Sequence, residues 1–382
     1  MQHVFIIGSR GLPAKYGGFE TFVEELVKNK QSSDIVYHVA CLSDDKHHTH
    51  FKYEGADCFT IKAPKIGPAR VIAYDMMAIT YGLQMVKRYG IEHPVFYILG
   101  NTIGTFIAPF VLRIHALGGK VYVNPDGLEW KRSKWSKPVQ AYLKYAEKSM
   151  AKTVDLVISD NIGIENYIKE SYPDAKTRFI AYGTDLKKST LTADDYKVRK
   201  CFDNWKTKEN GYYLIVGRFV PENNYETVIR EFMKSNTRRD LIIISNHKNS
   251  AYFDKLKHLT NFERDHRVKF VGTVYDRDLL NYIRENAFAY FHGHEVGGTN
   301  PSLLEALEST KLNLLLDVGF NREVGEDGAL YWKKDQLASV IDQAEQLDEQ
   351  AIEDLNQKSS KRIAEAFTWE KIVTDYEKVF KG

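Results

Sequence analysis

His3-Val4-Phe5-Ile6-Ile7-Gly8-Ser9-Arg10-Gly11-Leu12-Pro13-Ala14-Lys15-Tyr16-Gly17-Gly18-Phe19-Glu20 opens on an apolar strand, passes through four glycines and two cations, and ends where a helical pattern begins. Glycines between a buried strand and a helix N-terminus let backbone approach an anion closely, with unpaired N–H groups and the helix dipole turned toward it. The spacing is not the dinucleotide fingerprint. Gly8-x-x-Gly11 followed by Gly17-Gly18 lacks G-x-G-x-x-G, and Pro13 separates the two glycine clusters, so a nicotinamide site is disfavoured. A plain strand-to-helix turn would use the same residues, and the loop alone leaves both readings open.

Working outward, strand-like apolar runs recur at 4–7, 36–41, 95–99, 120–123, 156–158 and 178–180, with helical patterns between them. That alternation predicts a parallel sheet covered by helices on both faces. A polar, lysine-rich segment at 187–210 interrupts it, and a second series follows at 212–216, 240–245, 268–271, 287–291 and 313–316. Two doubly wound domains joined near residue 190 are expected, with ligands at the carboxyl ends of the strands and a cleft between the domains.

Composition sets the outer bounds. At 382 residues the chain exceeds what one core fills, and 43% hydrophobic residues place it outside the disordered range. A formal charge of +2 gives no global pull toward nucleic acid, so no nucleic-acid partner is expected. Three cysteines, Cys41, Cys58 and Cys201, form neither a CxxC pair nor an even framework, as suits a reducing cytoplasm. The chain starts polar and shows no secretory signal. Its longest apolar tract, 95–112, is broken by Gly100, Asn101, Gly104 and Pro109, which reads as strand, turn and helix rather than a membrane span. The charge is uneven: from 131 to 152 seven cations stand against the single acid Glu147, interleaved with aromatics.

The second half holds two further stretches, Tyr213-Leu214-Ile215-Val216-Gly217-Arg218-Phe219-Val220-Pro221-Glu222-Asn223-Asn224 and His292-Gly293-His294-Glu295-Val296-Gly297-Gly298-Thr299-Asn300-Pro301-Ser302-Leu303-Leu304-Glu305-Ala306. Here the chain resembles the family 4 retaining glycosyltransferases of the GT-B fold, which implies α/β architecture with two doubly wound Rossmann-like domains facing a central cleft. The resemblance implies that Arg218 contacts the donor diphosphate and acts in catalysis, that Gly298, Thr299 and Asn300 cradle the phosphates, and that Glu305 holds the nucleotide ribose. Elementary chemistry agrees. A guanidinium is a permanent cation with a fork suited to phosphate oxygens. Asn300 ahead of Pro301 reads as N-cap and first helical residue, leaving helix N–H donors for an anion.

The resemblance spans nearly the whole chain. Gly17-Gly18-Phe19-Glu20 matches the family's N-terminal glycine loop, which places Gly17 and Gly18 at the donor and Arg10 and Glu20 on the acceptor side. Tyr182-Gly183-Thr184-Asp185 matches its inter-domain turn. Phe367-Thr368-Trp369-Glu370 precedes a last helix that in the fold returns to the first domain, so the implied domains are 1–187, 188–365 and a crossing helix at 366–382. Gly8-Ser9-Arg10-Gly11-Leu12-Pro13 together with Asp126-Gly127-Leu128-Glu129-Trp130-Lys131-Arg132 is similar to the branch of bacterial polysaccharide β-1,4-rhamnosyltransferases. That branch implies dTDP-β-L-rhamnose as donor, a lipid-diphosphate-linked GlcNAc or Glc as acceptor, transfer with retention, and no metal or other cofactor.

Two departures stand out. Where the family usually carries a lysine five residues after the arginine, this chain has Asn223, counted here with the donor site. Eight residues before Glu305 lies Gly297 instead of a glutamate. Arg10, Lys15 or backbone N–H groups are then the candidates to neutralise the remaining charge. Asp126, in Pro125-Asp126-Gly127, is a candidate catalytic and acceptor-binding carboxylate, although Pro-Asp-Gly is also a common turn. Asp276-Arg277-Asp278 resembles a metal-binding Asp-x-Asp but precedes a helix, and capping is the expected role. Glu295 and Glu305 could be offered as a glycosidase pair, but the phosphate-type loop between them favours donor binding.

Trp130, Lys131, Arg132, Lys134 and Trp135 suggest a peripheral contact with an anionic membrane surface on the cytoplasmic side, where a lipid-linked acceptor would be presented. A solvated helix face is the alternative. A UDP-hexose transferase, a nucleotide-sugar epimerase and a non-catalytic sugar-nucleotide-binding subunit remain as competing readings.

Overall fold

The computed structural model describes residues 1–15, 17–45, 49–125, 127–132, 135–185, 187–248, 250–295 and 299–382. The chain divides into two compact units, Met1–Tyr182 with Trp369–Gly382, and Gly183–Thr368. The first boundary lies at 182/183, where the resemblance implies 187/188 and the sequence pattern a junction near 190.

The first unit is a sheet of eight strands: β1 (Gln2–Ile7), β2 (Ile35–Ser43), β3 (His50–Tyr53), β4 (Ala56–Lys62), β5 (Val95–Leu99), β6 (Lys120–Asn124), β7 (Leu156–Ser159) and β8 (Thr177–Phe179). Their order is β3-β4-β2-β1-β5-β6-β7-β8, parallel except for β3 against β4. Covering helices are α1 (Gly18–Lys28), α2 (Arg70–Tyr89), α3 (Ala108–His115), α4 (Lys137–Thr153) and α5 (Ile162–Ser171). Helices on both faces explain why β1 and β5 are almost uninterrupted apolar runs, with Val4, Phe5, Ile6 and Ile7 fully buried. The β3–β4 hairpin was not read from sequence. Its edge strand alternates exposed and half-buried residues, and Glu54 and Gly55 turn it through positive φ of 45° and 79°, as a two-residue hairpin loop requires.

The second unit begins with α6 (Tyr196–Trp205) and continues through β9 (Tyr212–Val216), α7 (Tyr225–Lys234), β10 (Asp240–Ile244), α8 (Ala251–Thr260), β11 (Val268–Gly272), α9 (Arg277–Glu285), β12 (Ala289–His292), α10 (Pro301–Ser309), β13 (Asn313–Leu316), α11 (Gly319–Gly325), β14 (Leu330–Trp332), α12 (Leu337–Ala344) and α13 (Glu349–Ala366). The sheet order is β11-β10-β9-β12-β13-β14, all parallel. Alternation along β9 sends Tyr213 and Ile215 into one core cluster and Tyr212 and Leu214 into the other, the period of two that a doubly covered strand imposes. The polar segment 187–210 is part of this unit rather than a bare connection. Val198, Cys201 and Phe202 of α6 are buried, and Ser189 Oγ and Thr190 N both donate to Asp278 at 2.9 Å.

The last helix, α14 (Trp369–Lys381), belongs to the first unit. Tyr97 Oη donates to Tyr376 Oη at 3.2 Å, Glu377 accepts from the backbone N–H groups of Gln31 and Ser32 at 2.9 Å, and Phe22 lies 5.1 Å from the Tyr376 ring. Cys41, Cys58 and Cys201 are free and buried.

Candidate functional site

In the second sheet, β9 has β10 on one side and β12 on the other, so the chain leaves the carboxyl ends of β9 and β12 in opposite directions. Such a switch point opens a crevice in any open parallel sheet. Gly217-Arg218 follows β9 and Gly293-His294-Glu295 follows β12. The two loops are locked together. Asn223 Nδ2 donates to Arg218 O at 2.8 Å, and Asn223 Oδ1 lies 2.7 Å from His294 Nδ1, a spacing that puts the proton on Nδ1. Asn224, buried with φ of 56°, donates through Nδ2 to Gly293 O at 2.8 Å and to Glu295 Oε2 at 3.3 Å. Gly293 is required by this approach, because a Cβ there would stand 2.4 Å from Asn223 O.

Asn223, counted with the donor site from sequence, thus spends its side-chain amide on joining the two loops. Glu295 is likewise engaged, with Lys334 Nζ at 2.8 Å from Oε2. Burial, reinforced by the neighbouring His294, holds His292 well below the usual imidazole range, so it adds no charge at neutral pH. Arg218 is exposed, and among the described residues its side chain makes neither an ion pair nor a hydrogen bond.

Asn300 caps α10: its Oδ1 accepts from Ser302 N at 2.9 Å, and Pro301 occupies the first helical position. Thr299 is buried beside it. Gly298, with Gly297, lies outside the described residues. Further along α10, Glu305 Oε2 pairs with an Nη of Arg284 from α9, whose side chain is 3% exposed against 43% for Glu305. Arg284 was missed in the sequence, where a single arginine in an amphipathic helix carries no distinguishing signal. Glu308, one turn beyond, is lifted to about 7 by burial, with the like charge of Glu285 adding to it. Asp276 Oδ1 accepts from Asp278 N and Leu279 N, both at 3.1 Å, so the Asp-Arg-Asp stretch is a helix cap and not a metal site.

In the first unit the opening loop sits at the other switch point, where β1 lies between β2 and β5. Gly8 has φ of 104°, and a Cβ there would stand 2.2 Å from Leu99 O, so close backbone packing already accounts for this glycine. Glu20 is buried, and its Oε1 accepts from Arg10 N at 2.8 Å while Oε2 faces Gly17. The carboxylate therefore closes the loop on itself, leaving the exposed Arg10 side chain and Gly18 toward solvent. Asp126 lies outside the described residues. Asn101 Nδ2 donates to Pro125 O, next to it, at 2.9 Å.

The basic aromatic window is reorganised by structure. Trp130 Nε1 donates to Glu147 Oε2 at 3.1 Å and Trp135 Nε1 to Glu129 Oε1 at 2.8 Å, while Arg132 pairs with Glu129 at 2.8 Å. Both indoles are half-buried, with their N–H groups donated to carboxylates of the same unit. Lys131 is exposed, and Lys134 lies outside the described residues. The exposed face of α4 carries Lys137, Tyr145, Lys148 and Lys152 instead.

Comparison with known proteins agrees with this geometry. Residues 1–185 match the model described as Domain of unknown function (DUF1972), and residues 199–366 match Glycosyl transferases group 1. The chain is 23% identical over 282 residues to an uncharacterized glycosyltransferase, MJ1069, of Methanocaldococcus jannaschii, covering 70% of this chain and 67% of that one. Among solved structures, sucrose-phosphate synthase of Thermosynechococcus elongatus superposes with a TM-score of 0.78 at 18% identity, over 100% of this chain and 98% of that one. HepE of Anabaena in complex with UDP gives 0.74 at 15% identity, with both chains fully covered. The E. coli trehalose-6-phosphate structure bound with UDP-2-fluoro glucose gives 0.72 at 10%, over 100% and 99% of the two chains. Residues 199–366 thus match the glycosyl transferases group 1 model, and the chain shares the GT-B fold of these solved structures.

Proposed function

We propose that this protein is a glycosyltransferase that moves L-rhamnose from dTDP-β-L-rhamnose to a lipid-diphosphate-linked GlcNAc or Glc, with retention, in cell-wall or capsular polysaccharide synthesis. The observation that carries the donor half is the Arg218 side chain, uncommitted among the described residues, on the loop after β9 that is locked to the loop after β12 at the switch point of the second sheet. Breaking the glycosidic C–O bond leaves charge on the diphosphate, and preorganised cations and N–H donors that meet this charge lower the barrier. Arg218 supplies the cation, and the backbone of Gly298, Thr299 and Asn300 supplies the N–H donors, because Pro301 has none and those of Ser302 and Leu303 are spent on Asn300. Glu305 accepts from the sugar ring of the nucleotide.

The acceptor side falls to the first unit, to Asp126 as the candidate hydrogen-bond partner of the acceptor and to the exposed Arg10; Glu20 acts there by holding the loop. No helix among the described residues is long and apolar enough to cross a membrane. A lipid-linked acceptor would then be met at the inner membrane surface, with Lys137, Lys148 and Lys152 of α4 toward anionic headgroups.

A UDP-hexose donor is the second reading, favoured by the UDP bound to HepE and the UDP-2-fluoro glucose of the E. coli structure. The test is mass-resolved product analysis with dTDP-rhamnose, UDP-glucose and UDP-N-acetylglucosamine, each with a synthetic lipid-diphosphate acceptor. Rhamnose transfer is the expected result. Transfer from a UDP-sugar alone replaces the donor, and tight nucleotide binding without turnover replaces the enzyme by a binding subunit.

A further inference from the structure

We infer that Arg284 selects the sugar ring of the nucleotide: by drawing one oxygen of Glu305 inward it leaves the other as the outward acceptor, matched to a 2′-deoxyribose rather than to a ribose. The inference rests on the proposed role of Glu305.

A guanidinium buried as deeply as that of Arg284 needs a carboxylate partner, since an unpaired buried charge is strongly destabilising. Glu285, Glu305 and Glu308 all gather near it, and Glu305 is the one in direct contact. The backbone at Arg284 is pinned as well, with Thr310 Oγ1 donating to Arg284 O at 3.0 Å. Glu305 Oε2 is therefore turned toward the protein. Oε1 remains, on a side chain 43% exposed, and among the described residues it makes no hydrogen bond.

The consequence is geometric. The 2′- and 3′-hydroxyls of a ribose form a vicinal cis pair, and a carboxylate grips such a pair with both oxygens in the same bidentate manner in which it accepts a guanidinium. With Oε2 turned to Arg284 and shared with its guanidinium, Glu305 presents Oε1 to one hydroxyl well and the pair poorly. A 2′-deoxynucleotide offers one, at the 3′ position, and leaves nothing unsatisfied. A ribonucleotide brings a second hydroxyl that loses water without gaining the paired acceptor. The ring-reading carboxylate thus favours a thymidine or other deoxynucleoside diphosphate on grounds independent of the base.

The matched pair UDP and 2′-deoxy-UDP isolates this term, because only the 2′-hydroxyl differs. Isothermal titration should show wild-type protein binding 2′-deoxy-UDP at least as tightly as UDP. Arg284→Met frees Oε2 and should shift the affinity ratio toward UDP by about tenfold, the worth of one hydrogen bond to a charged group. Arg284→Lys keeps an ion pair and should keep the wild-type ratio, which guards against a Met variant that fails to fold. A wild-type preference for UDP of about tenfold or more, or an unchanged ratio in folded Arg284→Met, overturns the inference. Glu305→Ala separates the two levels. If it weakens both nucleotides while Arg284→Met leaves the ratio unmoved, only the selection by Arg284 fails; if it weakens neither, the role of Glu305 fails with it.

Discussion

Replacing Gly293 by alanine tests whether the two loops of the second unit act as one device. The new Cβ would lie 2.4 Å from Asn223 O and 3.3 Å from both Asn223 C and the Asn224 Cβ. Because the tightest neighbour is backbone, it cannot be relieved by rotating a side chain. Reaching an ordinary C···O separation of about 3.3 Å requires the loops to part by about 0.9 Å. That motion stretches the 2.8 Å bond from Asn224 Nδ2 to Gly293 O and the 2.7 Å contact between Asn223 and His294, and it shifts Arg218, whose backbone Asn223 holds, relative to the loop after β12. Overpacking of this size costs about 1–3 kcal/mol of stability. A misplacement near 1 Å in a preorganised site costs about 10²-fold in rate. Donor turnover and thermal melting, measured on the same preparation, should show kcat/KM for the donor down by about two orders of magnitude with the protein still folded at assay temperature. Turnover within threefold of wild type, with an unchanged melt, would refute the claim that spacing between these loops sets the geometry of the site.

Three further outcomes follow from the structure. Arg218→Ala should lower kcat for glycosyl transfer by about 10²–10³-fold, the loss typical of removing a principal charge stabiliser, with Arg218→Lys intermediate; near-normal steady-state kinetics would remove Arg218 from the reaction. Glu147 sits 3% exposed at the centre of a hub, accepting from Trp130 Nε1, Lys144 Nζ, Tyr167 Oη and Tyr172 Oη at 3.1, 3.0, 2.6 and 2.7 Å. Glu147→Ala strands buried donors and should destabilise the first unit by about 3–5 kcal/mol in urea titration; a loss under 1 kcal/mol would contradict the hub. Glu308, lifted to about 7 in the folded state, contributes stability that is present below its unfolded value near 4.5 and is lost as pH rises through 7. Glu308→Gln should therefore gain on wild type between pH 5 and pH 8, by about 1 kcal/mol after allowing for solvent screening of a part-exposed group; parallel stability profiles would show that the carboxyl is not perturbed.

Much of this protein is written in local patterns. Buried parallel strands must be apolar on both faces, so β1, β5, β9 and β10 stand out in the chain as continuous Val, Ile, Leu, Phe and Tyr runs. Helix caps are equally local: Asn300 before Pro301 and Asp276 before α9 satisfy N–H groups two or three residues away, within reach of a sequence window. The weak strands were not legible for the converse reason. β3 is a four-residue edge and β14 a three-residue one, held by partners such as Trp332 Nε1 donating to Leu314 O at 3.1 Å, and short edges carry too few buried positions to form a pattern.

The committed states of the polar groups belong to a different level. Whether Asn223 meets a ligand or His294 depends on bringing together residues 71 apart in sequence, and whether Glu305 offers one oxygen or two depends on Arg284, 21 residues upstream on another helix. The tryptophans near α4 look like free surface aromatics in a linear reading, and only folding shows their N–H groups donated to Glu129 and Glu147. Residue type and spacing state what a group can do; which of its hydrogen bonds are already made is settled only when separate elements pack, because satisfying a buried polar group is a property of its neighbours in space.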